Sequence, residues 1–181
     1  MATLSRKSSL GWLPGMFLLS PIMAWAGPDA MTSTDQKFLM TAAEAQKMEI
    51  ALGQTAVDRA ESEKVKQFAQ RMVDDHTKAG HELRKLAEAA GVVFPDEPPV
   101  VTRKASDAYS TLSGREFDRA YVDHEVKDHQ KKITAFKKQT KKLKNPQIRQ
   151  WASATQPVLK EHLIIAKSIR ASMKHGPKER K

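Results

Sequence analysis

The chain contains no cysteine among its 181 residues, which removes disulfide frameworks, thiolate metal sites and thiol nucleophiles together. Glycine is sparse, at eight residues, and none of them builds a glycine-rich phosphate loop. Aromatic residues make up only 6% of the chain, with two tyrosines, so base-stacking surfaces are poorly provided for. No apolar run reaches the roughly eighteen residues a membrane-spanning helix needs, and strand-like alternation is scarce. Acids are also in deficit: 21 Asp and Glu stand against 31 Lys and Arg, leaving a net charge of +10. A basic surface attracts anions without choosing among them.

The first thirty residues have a different character from the remainder. Arg6 and Lys7 precede an apolar run over residues 10–23 that contains Pro14 and Pro21, and Ala24-Trp25-Ala26 then supplies a small-x-small cleavage pattern. This order is that of a secretory leader cut after Ala26. Export to the periplasm or cell envelope is therefore expected, with no lipoprotein anchor, because no cysteine follows the cut. Removing residues 1–26 from 181 leaves 155 and takes away two cations, so the charge falls from +10 to +8. That length suits one domain, expected over 34–174 between a flexible start at 27–33 and a basic tail at 175–181.

Four segments repeat apolar residues at three- and four-residue spacing, the period of a helix face. The first is expected from Thr34-Asp35 to Arg59, and the second from a Ser62 cap to Ala90, where Gly91 suits a left-handed stop. Three prolines in residues 91–102 break the helix and predict an extended crossover, with a short helical piece over 103–112. Ser113 to Glu116 reads as a capping box opening the third helix. Asn145-Pro146 pairs a cap with proline at the first helical position, opening a fourth that stops near Lys174. Two hairpins joined by one long connection predict an all-α four-helix bundle. An extended coiled coil fits less well, since the stripes are too broad and too rich in alanine. Gly53 and Gly80 fall inside helices, at about 1 kcal/mol each relative to alanine, and close helix approach would explain them.

Each helix sets one ionisable residue among its apolar positions: Glu49, His76, His129 and His162. Counted from the hairpin turns, Glu49 and His76 differ in height by about 4–5 Å, and so do His129 and His162. Imidazoles with a carboxylate could hold one divalent zinc, iron or copper ion, with Met48 and Met72 near enough in sequence to add a soft donor. The same residues could instead form a hydrogen-bonded polar core. Asp118 and Tyr121, or Asp75, are candidates to orient them, and a buried carboxylate requires some partner in either case.

Four blocks carry a family resemblance: Phe38 with Ala42-Ala43 and Glu49; Phe68 through His76; Phe117 to Tyr121 with His129; and Pro157 to His162. Together they resemble a bacterial family of exported domains of unknown function, often labelled outer-membrane proteins, with a ferritin-like fold. The resemblance implies a ferritin-like bundle and an envelope location but no settled activity. Ferritin-like di-iron centres use Glu-x-x-His pairs, whereas residues 73, 126 and 159, three before each histidine, are Val, Val and Leu. A di-iron centre is therefore not expected.

No nucleophile motif marks an enzyme, and no catalytic residue is assigned. The leading expectation is a periplasmic bundle binding a metal ion through its core, in the context of envelope stress. The alternative is an interaction module whose lysines at 127, 131, 132, 137, 138, 141, 142 and 144 dock an anionic envelope component, the inner histidines only holding helix register. An exported protein is not expected to have a nucleic-acid partner. His81 and His124 lie on more polar faces and are expected to be exposed, while Trp151 is expected in the core.

Overall fold

The computed structural model describes residues 31–94, 109 and 111–174. The expected leader, most of the expected crossover with its short helical piece over 103–112, and the expected basic tail lie outside the described residues. Among the described residues there are four helices: α1 (Ser33–Arg59), α2 (Glu63–Ala89), α3 (Gly114–Thr140) and α4 (Pro146–Lys174). No strand occurs among the described residues, and none of the helices is long and apolar enough to cross a membrane.

Their ends follow from local chemistry. Thr32 caps α1: its hydroxyl accepts from the Asp35 amide at 3.2 Å while Asp35 accepts from the Thr32 amide at 3.1 Å, a reciprocal box that satisfies donors the helix cannot. Gly91 stops α2 with φ +68°, where a side chain would be strained. Asn145 Oδ1 accepts from the Gln147 and Ile148 amides at 3.0 and 3.1 Å, so α4 opens as its sequence predicts. Two expected caps act differently. Ser62 and Ser113 precede α2 and α3 but make no side-chain capping bond. At the first turn, Asp118 of α3 accepts from the Glu61 and Ser62 amides at 3.0 and 2.8 Å. Ser113 is followed by Gly114 at φ +58°, a chain entrance that leaves the expected capping box unformed.

These contacts also give the helix directions. Asp118 ties the start of α3 to the α1–α2 turn, and Asp35 ties the start of α1 to the α3–α4 turn through the Lys144 amide at 2.9 Å. Hence α1 and α4 run one way and α2 and α3 the other. The end of α2 and the start of α3 therefore lie at opposite ends of the bundle, about 40 Å apart for a 27-residue helix. Around the bundle, α2 packs on α1 and α4, α3 packs on α4, and α1 meets α3 more sparsely.

The core has two apolar halves. One is built from Leu52, Val65, Phe68, Met72, Phe117 and Ile169. The other surrounds a triad of Phe38, Phe136 and Trp151 with centroids 5.4–6.1 Å apart, which places Trp151 in the core as expected. Gly53 lets α1 and α2 approach closely, since a Cβ there would lie 2.9 Å from Val73 Cγ2; at Gly80 the nearest neighbour is an ordinary 3.5 Å away. Between the halves lie the buried polar residues Gln46, Glu49, His76, Glu125, His129 and His162.

Candidate metal centre

His76, His129 and His162 come from α2, α3 and α4, one from each helix, because each sits where its helix stripe faces the axis at mid-height. All three are buried, with exposures of 4%, 0% and 0%. Their ring centroids are 5.4, 5.4 and 6.1 Å apart. They are the one group of potential ligands found to converge among the described residues, each offering a nitrogen within 4.8 Å of the others.

Each imidazole uses one nitrogen on an outer partner. His76 Nδ1 donates to Gln46 Oε1 at 2.7 Å. His129 Nδ1 donates to the Glu125 carbonyl at 3.1 Å, with that residue's carboxylate 3.2 Å away. His162 Nε2 donates to Asp75 Oδ2 at 2.8 Å. The other nitrogens, His76 Nε2, His129 Nε2 and His162 Nδ1, are buried without a hydrogen-bond partner. Burying such an atom unsatisfied costs about 1–3 kcal/mol, so three in one place call for a common ligand. Outer carboxylates and carbonyls that fix the tautomer and turn a lone pair inward are how metal-ligating histidines are held. Tetrahedral zinc–nitrogen bonds place ligand atoms ~3.4 Å apart, so the three nitrogens, now within 4.8 Å of one another, would draw closer to share one ion.

Electrostatics keep these rings neutral. Burial pushes His76 well below the ordinary histidine range, and the charges of His162 and Lys132 act in the same direction. His129 and His162 are also lowered, chiefly by burial, against the opposing pull of Glu49 on the first and Asp75 on the second. Neutral imidazole is the form that binds metal.

Glu49, buried at 1% exposure, stands beside this trio but is engaged by the Lys132 ammonium, which also reaches Asp128 at 2.7 Å. Burial would raise the Glu49 carboxyl, yet Lys132 and His129 outweigh burial and hold it below the usual range. Its neighbour Glu125 is shifted the other way: burial first, and then Glu49, push it well above that range. Glu49 Oε2 and both Glu125 oxygens lack hydrogen-bond partners.

The structure thus brings three of the four anticipated ligands together and gives Glu49 a cation of its own. Of the anticipated orienting residues, Asp75 holds His162, whereas Asp118 serves the α1–α2 turn. Tyr121 is fully buried beside Phe68 and Phe117 with an unpartnered hydroxyl. Sequence reasoning passed over Gln46 and Glu125. The available signal was spacing, since Glu125 lies one turn before His129 and Gln46 one turn before Glu49. It also placed Lys132 on the surface and His124 in solvent, whereas Lys132 is drawn inward to 16% side-chain exposure and His124 is half-buried against Tyr109. His81 is exposed as expected.

The chain belongs to a family described as a domain of unknown function (DUF4142), whose profile matches residues 21–169. Neither the curated proteins nor the solved structures yielded a match.

Proposed function

We propose that this DUF4142 member is an exported, ferritin-like metal-binding bundle that holds one divalent transition ion, zinc, iron or copper, through His76, His129 and His162. The observation carrying this reading is the set of three buried imidazoles whose outer nitrogens are tied and whose inner nitrogens are not. The helix directions, with two long hairpins running in opposite senses, support the ferritin-like relationship. The leader-like residues 1–26 support export, and a role in envelope stress is the context we favour. Three nitrogen donors leave a fourth coordination position, and the missing Glu-x-x-His pairs argue for one ion rather than a bridged pair.

Metal analysis of the chain purified without a histidine tag, before and after equilibration with each ion, tests this. About one equivalent is expected, lost in a His129→Ala/His162→Ala variant that keeps its helical circular dichroism. Metal-free protein after equilibration, or equal retention by the variant, would overturn it.

A second reading has its own support. Lys127, Lys131 and Lys138 project together around a shallow hollow floored by Thr134 and Ala135, a surface able to dock an anionic envelope polymer. Binding to anionic vesicles that survives loss of the histidines and falls with salt would favour it.

A further inference from the structure

The three imidazoles are sealed, and their outer partners differ in one respect. Gln46 and Glu125, which hold His76 and His129, are themselves buried at 4% and 0% exposure. Asp75, which holds His162, has a side chain 32% exposed. It lies on the α2–α4 face, where Arg71 contacts it at 3.3 Å and reaches across to Glu161 at 2.7 Å. A continuous polar line therefore runs from solvent through Glu161, Arg71 and Asp75 to His162. Its inner end is His162 Nδ1, buried and without a hydrogen-bond partner.

We infer that this line is the access route for the cation and that Arg71 is its latch. The inference rests on the imidazole site proposed above and adds how that site is filled. Glu161 and Asp75 are two carboxylates held by one guanidinium, and a divalent cation arriving from solvent can replace that guanidinium between them. The His162 ring separates Asp75 on one nitrogen from the interior on the other. Rotation about its Cβ–Cγ bond is the motion that would pass a cation inward from Asp75. The hydrogen-bond partners of the other two imidazoles, Gln46 and Glu125, are buried and offer no such outlet.

The test is kinetic. Zinc uptake is followed by stopped flow against a chromophoric chelator, and release by excess chelator, in the full chain and in Arg71→Gln, Arg71→Lys and Glu161→Gln. The Arg71 and Glu161 side chains are 42% and 54% exposed, so all three variants are expected to fold, which helical circular dichroism checks. Arg71→Gln should speed uptake and release by the same factor, about three- to tenfold for the loss of two partly exposed ion pairs, leaving Kd within twofold. Arg71→Lys should stay near the parent, and Glu161→Gln should slow uptake at low salt. Unchanged rates in Arg71→Gln, in a protein that binds zinc, would sink the route while leaving the imidazole site standing. A changed Kd with unchanged uptake would also sink it. No zinc bound by the parent would remove the site and the route together.

Discussion

Replacing Lys132 by methionine removes a charge while keeping most of the stem, which isolates the ion pair with Glu49. Glu49 is 1% exposed and its second oxygen has no hydrogen-bond partner, so without the ammonium it is a buried anion facing a second buried acid. Breaking such a pair from one side costs about 3–5 kcal/mol, and the partly exposed Asp128 contact adds at most ~1 kcal/mol. Glu49→Gln leaves Lys132 its Asp128 partner and a path to solvent, so a smaller loss of roughly 1–3 kcal/mol is expected. The double variant leaves only the partly exposed Asp128 without its cation and should be more stable than the sum of the single losses implies, by about 1–3 kcal/mol. Urea denaturation at pH 7 measures all three.

The pH dependence provides an internal check. In the parent, the folded Glu49 carboxyl is held low, so its contribution is present above the unfolded value near 4.5 and is lost as pH falls through the folded one. Without Lys132, burial outweighs the remaining pull of His129 and raises it, so the variant should recover relative to the parent as pH drops from 7 towards 5. Additive losses within 0.5 kcal/mol, or a penalty that grows on acidification, would refute this account of the pair.

Two further expectations follow from packing and titration. Gly53→Ala should destabilise by about 1–3 kcal/mol, because its Cβ would meet Val73 Cγ2 at 2.9 Å and the Ala69 carbonyl at 3.2 Å. Gly80→Ala finds only ordinary contact and should gain up to ~1 kcal/mol, so thermal melts should move in opposite directions. The metal-free protein should lose stability as pH falls below about 6.5, by up to ~1.4 kcal/mol per unit for each histidine. The sign follows because the folded rings bind protons less readily than the unfolded ones. His76→Gln should flatten that slope, and urea midpoints equal at pH 7.5 and 5.5 would contradict it.

The bundle was legible in the sequence because burial on a helix is periodic and its ends are chemical. Phe38, Leu52, Met72, Val122, Val126 and Ile169 fall on their stripes and are buried, and Asn145-Pro146 caps α4 where expected. The inward turn of His76, His129 and His162 followed from the same spacing. Less of the surrounding chemistry could be read. Gln46 and Glu125 lie beside the stripe rather than on it, and only the separation of neighbouring helices decides whether such flanking positions are covered. Lys132 belongs by spacing to a lysine-rich outer face, and its inward reach depends on Glu49, 83 residues away in the chain. Asp118 has the right residue type for orienting a histidine, but its height along α3 places it at the turn.

The belt of titratable groups between two oily halves has a consequence for folding. Alanine-rich rods such as α1 can slide past one another with little loss of contact. Here a slip of one turn, about 5.4 Å, would drive an imidazole or carboxylate into hydrocarbon and bring an aliphatic side chain into the waist. The belt therefore works as a detent, selecting a single axial alignment of the four rods.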